Sequence, residues 1–459
     1  MGTIVLYPPP LMGHFISMVE LGKSIIKHYP SYTITVLSLT NSFNTGSITS
    51  YVRHISATIP AITFHHLPLI PLPEHEILPS MLGSVVANLI GRSVNNVANA
   101  LQSISPTAII ADVFCTSAMA SAANLNIPVY FFIVSGACSV VEFLYFPTLD
   151  QKYPVSFKDM NALVYEPGLP PIPSSEMQDT IQDRNSEAYR GYLELSRRML
   201  KSAGIIVNTF DLMEPKPIKA IRDGSCVPDQ PTPPLYCVGP LIAEGSDVSH
   251  ECLKWLDGQP KESVVYLCFG SEREFSSDQL KEIAKGLELS GHRFLWVIRS
   301  PSAEKNDDLN LLLPNGFLER TKDRGFVLNT WVPQVQVLNH ESVGGYVTHC
   351  GWNSVLEATC AGVPMIGWPL IADQKLNKIM MVEEMKLALP MDQSEDRKVT
   401  AAEVEKRVRQ LMDSEEGKVV REMAKARKVD AARALSEGGS SRVELKRLVE
   451  SIGRNSILK

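Results

Sequence analysis

Short apolar runs rich in β-branched and aromatic residues recur in two series along this chain, and each run is followed by a stretch of helical periodicity. The first series comprises Thr3 to Tyr7, Thr33 to Leu37, Ala108 to Val113, Val129 to Val134 and Ile205 to Asn208. The second starts at Val264 to Phe269 and continues through Phe294 to Ile298, Phe326 to Leu328, Gly345 to Thr348 and Met365 to Gly367. A strand that is apolar on both faces must be covered on both, and the helix that follows it supplies the cover. The alternation therefore predicts an α/β fold of parallel strands with crossover helices, built twice. Length agrees, because 459 residues exceed the usual domain of about 100–200 residues.

Between the two series, Gly239 to His250 carries Pro240, Gly245 and Ser246 and reads as a linker. The expected organisation is a Rossmann-like domain over residues 1–240, a linker over 241–250 and a second Rossmann-like domain over 251–436. A helix over 437–459 is expected to pack back on the first domain. Charged helical stretches, Ala401 to Met412 and Lys418 to Ala434, close the second domain. The stretch from Pro147 to Asp183 breaks the rhythm with Pro154, Pro167, Pro170, Pro171 and Pro173, which predicts a long surface insertion. Two doubly wound halves of this kind hold ligands at the carboxyl ends of their strands, in the cleft where the halves face each other.

Composition narrows the partners. A net charge of -6 with scattered basic residues gives no field to hold a polyanion, so nucleic acid is not expected. The start, MGTIVLYPPP, lacks a basic region ahead of an apolar one and does not read as a secretory signal. Leu6 stands where an N-myristoylation site wants Ser or Thr, which speaks against that anchor. The most membrane-like stretch, Ile127 to Val141, is too short and is interrupted by Ser135, Gly136 and Ser139; a buried strand followed by a helix is expected there. Eight cysteines without a C-x-x-C pair read as buried free thiols of a reducing cytosol. A cytoplasmic monomer without membrane anchor is the expectation.

The densest polar cluster is Thr348-His349-Cys350-Gly351-Trp352-Asn353-Ser354, where a strand ends and a helix begins. Backbone N–H groups and the positive end of the helix dipole suit a phosphate there, and His349, Asn353 and Ser354 add side-chain donors. Alone, His349 would read as a packing histidine and Asn353 and Ser354 as capping residues. Phe269-Gly270-Ser271 forms another strand end suited to close backbone approach. In the first half, Pro8-Pro9-Pro10-Leu11-Met12-Gly13-His14 leads from a strand end into a helix over Phe15 to Lys27. That placement sets His14 beside a helix N-terminus, whose positive end opposes protonation and keeps the imidazole available as a base. A lone His after a turn is usually only a cap, but Asp112 ends a strand of the same sheet. Its carboxylate is placed to fix the imidazole tautomer and to stabilise the imidazolium that forms.

The 44-residue span from Trp331 to Gln374 resembles the nucleotide-sugar signature box of plant secondary-product glycosyltransferases. It reads Trp331-Val332-Pro333-Gln334, then His349-Cys350-Gly351-Trp352-Asn353-Ser354 with Glu357, then Trp368-Pro369-Leu370-Ile371-Ala372-Asp373-Gln374. The likeness extends to the run from Pro167 to Pro173 and the motif from Glu437 to Ser441. The resemblance implies the GT-B architecture and a UDP-sugar donor. It implies that Trp331 stacks on uracil, with the region of Val332 and Gln334 at the base's edge, and that Glu357 accepts from both ribose hydroxyls. His349, Asn353 and Ser354 would hold the phosphates, with Ser271 nearby. Asp373 and Gln374 would bind sugar hydroxyls, assisted by Trp352. A terminal Gln in the box goes with glucose, which favours UDP-glucose, and His14 with Asp112 matches the family's catalytic dyad. Arg273 departs from the pattern where a Gly is common; it reads either as a donor or acceptor contact or as a surface partner of Glu272 or Glu274.

The resulting expectation is an inverting glucosyltransferase. His14 takes the acceptor proton while the acceptor oxygen displaces UDP from the opposite face of the anomeric carbon, giving a β-O-glucoside of a small hydrophobic phenolic, flavonoid or terpenoid. The helix N-terminus and His349 stabilise the departing diphosphate without a metal or other cofactor, and no Asp-x-Asp pair occurs to clamp one. Met12, Phe114 and Ile371 are candidates for the acceptor pocket by their nearness to motif residues. A C-glycoside product and a non-catalytic nucleotide-sugar-binding protein are the alternatives. A dehydrogenase is disfavoured because no G-x-G-x-x-G follows the first strand.

Overall fold

A computed structural model describes residues 2–39, 47–71, 82–243, 249–270, 274–298 and 309–457. The chain divides into two compact units. The first comprises Met1–Leu169, Thr180–Ala243 and Ala434–Lys459; the second comprises Pro170–Asp179 and Glu244–Arg433. Part of the linker expected over 241–250, residues 244–248, lies outside the described residues.

In the first unit the strands are β1 (Gly2–Tyr7), β2 (Tyr32–Ser38), β3 (Ile62–His66), β4 (Ala108–Asp112), β5 (Val129–Ile133), β6 (Gly204–Val207) and β7 (Leu235–Cys237). They form one parallel sheet in the order β3-β2-β1-β4-β5-β6-β7. All five residues of β4 and of β5 are buried, as the apolar runs require of central parallel strands. Ile4, Leu6, Ile34, Ile110 and Phe132 pack with Met18, Leu21 and Ile25 of the helix Met12–His28. Burial of each such side chain contributes about 1.5–3 kcal/mol. Leu445, Leu448, Val449 and Ile452 of the helix Ser440–Ile457 join the same core, and Tyr130 Oη lies 2.8 Å from Ser451 Oγ.

The second unit repeats the plan with β8 (Val264–Cys268), β9 (Arg293–Val297), β10 (Gly325–Leu328), β11 (Val343–Thr348), β12 (Met365–Gly367) and β13 (Ala388–Pro390). The order of this parallel sheet is β10-β9-β8-β11-β12-β13. Its core gathers Leu267, Trp296, Val347, Ile366 and Trp368 with Leu280, Ile283 and Leu287 of the helix Ser277–Ser290. In both sheets the strand order reverses beside the first strand, between β1 and β4 and between β8 and β11. The ends of such neighbouring strands open a crevice that their own crossover connections, running to opposite sides, leave unfilled.

Several details differ from expectation. The helix after β5 spans Ala137–Lys152 with Pro147 inside it, so the irregular stretch begins at Tyr153. Buried partners on this helix, including Phe143, Leu144 and Phe146, offset the one backbone hydrogen bond that a proline removes. Strands β3, β7 and β13 went unrecognised because β7 and β13 are only three residues long, too short to show a period, and β3 has the mixed sequence Ile-Thr-Phe-His-His that an edge position allows. All eight cysteines are free, six of them buried. No helix among the described residues is long and apolar enough to cross a membrane.

Candidate active site

Each unit presents its polar residues at the point where its strand order reverses. In the first, Tyr7 of β1 pairs in register with Ala111 of β4, which sets the residues that follow them side by side. The chain leaves β1 through three prolines and enters the helix Met12–His28, whose N-terminus has no side-chain cap. His14 therefore lies inside the first turn of the helix, not ahead of it as expected; with no Ser, Thr, Asp or Asn to mark the start, the boundary was set too late. His14 Nδ1 is 2.8 Å from Asp112 Oδ2. The carboxylate is wholly buried and the imidazole 24% exposed. The other carboxylate oxygen, Oδ1, accepts the Phe114 N–H at 3.0 Å, closing the turn after β4. One oxygen thus anchors Asp112 to its own backbone while the other meets the imidazole. The Phe114 ring, 46% exposed, lies 5.2 Å from that of His14, and Met12 is partly buried at the start of the same helix.

In the second unit, Cys268 of β8 pairs with Thr348 of β11. This register brings Gly270, just past β8, against His349, just past β11. A Cβ on Gly270, whose φ is +76°, would stand 2.7 Å from His349 Nε2, and one on Gly351 would stand 2.4 Å from the same atom. The imidazole is held between two glycines because no larger residue leaves room for it. No described residue partners its buried Nδ1. Burial lowers its pKa to about 4, against a smaller upward effect of the Cys268 backbone, so the ring is neutral at ordinary pH. Beyond it the chain turns through Cys350, at φ +66°, into the helix Trp352–Ala361, which also lacks a side-chain cap. A helix N-terminus beside a neutral imidazole has the chemistry to receive an anion.

Along that helix, Ser354 and Glu357 share one organiser. Gln334 Nε2 donates to Ser354 Oγ at 2.9 Å and to Glu357 Oε2 at 2.7 Å. Its Oε1 accepts from Tyr266 Oη at 3.2 Å and Tyr346 Oη at 3.4 Å. Gln334, expected near the base, thus has its amide committed to aligning its neighbours. The two tyrosines, stacked in register across β8 and β11, escaped the sequence reading. Each stands two residues before its strand's end, a signal available in hindsight. Burial raises the Glu357 pKa to about 7, while Gln334 pulls it down. Trp331 is 71% exposed, whereas the neighbouring Val332 is buried. A core role for the Trp331 indole is thereby removed.

Asn353 lies in the first turn of the same helix, and Trp352, at 3% exposure, is almost wholly enclosed. Gln374 Oε1 accepts the N–H groups of Leu370 and Ile371, both at 2.9 Å, leaving its amide nitrogen for a ligand. Asp373 Oδ2 accepts from Asn377 Nδ2 at 3.1 Å. Ile371 belongs to this turn. Ser271 and Arg273 lie outside the described residues. Among the described residues no group of three or more His, Cys, Asp or Glu side chains is placed to hold a metal ion.

Comparison with known proteins adds three relatives and one family. Residues 206–424 match the model of the family described as UDP-glucoronosyl and UDP-glucosyl transferase. Anthocyanidin 5,3-O-glucosyltransferase of a Rosa hybrid cultivar is 47% identical over 98% of each chain. Phloretin 2'-O-glucosyltransferase of Malus domestica is 46% identical over 98% of this chain and 99% of its own. The solved structure of Phytolacca americana UGT2 complexed with UDP-2fluoro-glucose and pterostilbene superposes with a TM-score of 0.89. It is 35% identical and matches over 99% of this chain and 100% of its own.

Proposed function

We infer the reaction from one premise: this chain belongs to the UDP-glucoronosyl and UDP-glucosyl transferase family, has its GT-B fold and is a glycosyltransferase. The reaction we assign is transfer of glucose from UDP-glucose to a hydroxyl of a small phenolic acceptor with inversion at the anomeric carbon. The 2.8 Å contact between His14 and Asp112 carries this reading. With Nδ1–H donated to a buried carboxylate, Nε2 is the basic nitrogen, and it takes the acceptor's proton as the acceptor oxygen attacks. The bond from that oxygen to the anomeric carbon forms on the side opposite the breaking bond to UDP, so an α-linked donor gives a β-glucoside. The electron pair of the breaking bond leaves on the diphosphate. Neutral His349 and the N-terminus of the helix Trp352–Ala361 meet that charge, Glu357 takes the ribose hydroxyls, Trp331 takes uracil, and Asp373 with Gln374 takes the sugar.

Support for a phenolic acceptor comes from the relatives, which are named for an anthocyanidin and for phloretin, and from the exposed Phe114 ring beside the base. Metal-free action in the cytoplasm as a monomer belongs to the same proposal. The test is incubation with UDP-glucose and a panel of phenols, with and without EDTA, followed by product mass, anomeric configuration by NMR and treatment with hot acid. The expected product is an acid-labile β-glucoside formed equally well in EDTA. An α-glucoside, an acid-stable C-glycoside or loss of activity in the chelator would overturn the corresponding part.

A further inference from the structure

The segment Pro170–Asp179 belongs to the second unit although it precedes β8 by more than eighty residues. Its last residue, Asp179, is held bidentately by Arg397: Nη2 donates to Oδ1 at 2.7 Å and Nη1 to Oδ2 at 3.3 Å. The same Oδ1 accepts from Lys375 Nζ at 3.1 Å. An exposed ion pair is ordinarily worth ~0–1 kcal/mol, but paired geometry and networks are the recognised exceptions. Here the Lys375 side chain is 10% exposed, and burial of Asp179 is outweighed by its two cations, which hold its carboxyl below the usual range.

What these cations touch next is the decisive observation. Lys375 directly follows Gln374. Arg397 Nη1 also reaches the Leu370 carbonyl at 3.4 Å, and the Leu370 N–H donates to Gln374 Oε1 at 2.9 Å. One carboxylate therefore grips both ends of the turn from Leu370 to Gln374, a turn that passes through Ala372 at φ +53°. A clip serving only to fasten Pro170–Asp179 would have no need to end on both sides of this turn.

We propose that Asp179 is a positioning residue for the sugar half of the donor, acting through Lys375 and Arg397 to hold the turn that presents Asp373 and Gln374. The inference rests on the assignment of those two residues to the sugar hydroxyls. With Oε1 of Gln374 occupied by two main-chain amides, Gln374 in this orientation offers the sugar a donor, and the acceptor falls to Asp373.

The experiment compares Asp179→Ala, Asp179→Asn, Asp179→Glu and Gln374→Ala by steady-state kinetics, with UDP as a competitive inhibitor. Loss of one aligned polar contact corresponds to about a tenfold change. For Asp179→Ala and Asp179→Asn, kcat/KM for UDP-glucose should fall about tenfold while the Ki of UDP stays within about twofold; Asp179→Glu should recover part of the loss. If Asp179→Ala fails to fold, Asp179→Asn decides. Equal losses for UDP and UDP-glucose, or no loss for either while Gln374→Ala loses UDP-glucose alone, would overturn the positioning role and leave the sugar site intact. An unaltered Gln374→Ala would remove the sugar-site assignment and this inference together.

Discussion

The two parallel sheets offer the same topological place twice and furnish it in opposite ways. At the first, the first turn of the helix after β1 supplies the histidine and the end of β4 supplies a buried carboxylate 2.8 Å away. At the second, the end of β11 supplies the histidine and the loop after β8 supplies Gly270, with Gly351 closing the other side. A buried carboxylate at Nδ1 fixes the tautomer that leaves Nε2 to accept a proton, as the proposed base role requires. Between glycines, burial outweighs the opposing Cys268 backbone, so the His349 pKa falls to about 4 and the ring stays neutral, as the proposed donor role requires. The identity of the residue opposite the imidazole thus assigns the role, while the strand order only assigns the place.

The contrast is broken most forcefully at His14. His14→Ala should lower kcat by about 10³-fold, within the range usual for loss of a general base, with UDP affinity by calorimetry unchanged. Substantial activity in that variant would mean that the two histidines do not differ in kind. Asp112→Asn keeps the shape but removes the charge and the tautomer preference, and a loss of about 10²-fold in kcat with little change in KM is expected. On the other side, Gly351→Ala should push the His349 ring from its slot, raising KM for UDP-glucose by about tenfold with a smaller effect on kcat. An unchanged KM would show that the glycine slot does not position the ring.

The smallest expected effect is a pH dependence. Folding raises the Glu357 pKa from 4.5 to about 7 through burial, so the native chain holds this proton more tightly than the unfolded one. The stability it contributes is full below pH 4.5 and is lost as pH rises through about 7. For His349 the shift is opposite: its contribution is full above about pH 6.5 and is lost as pH falls through about 4. Only ionised Glu357 accepts from both ribose hydroxyls without competition from its own proton, so UDP affinity should rise severalfold between pH 6 and pH 8. Glu357→Gln should flatten that rise and increase the thermal midpoint at pH 8 in the absence of nucleotide. A pH-independent UDP affinity in the unsubstituted enzyme would sever the link between the buried carboxylate and the ribose.

Much of this was legible in the residues alone. The central strands were found because burial on both faces demands uninterrupted apolar runs, and the signature from Trp331 to Gln374 announced the family. His14 and Asp112 stood out because one opens the helix that follows such a run and the other stands at the end of one. Edge strands β3, β7 and β13 and the proline-bearing helix Ala137–Lys152 were not legible, since their stability comes from neighbours contributed by other segments.

Sequence by itself determined the doubly wound plan, twice over, and the chemical types gathered at the strand ends, because hydrophobic period and strand-to-helix junctions are local properties. Tertiary structure alone decided the partners that the sequence did not name: Gln334 with Tyr266, 68 residues apart, and Asp179 with Lys375, 196 apart. A register between strands and the course of a long connection select those pairs. Both are settled only when the whole chain has buried its apolar faces together.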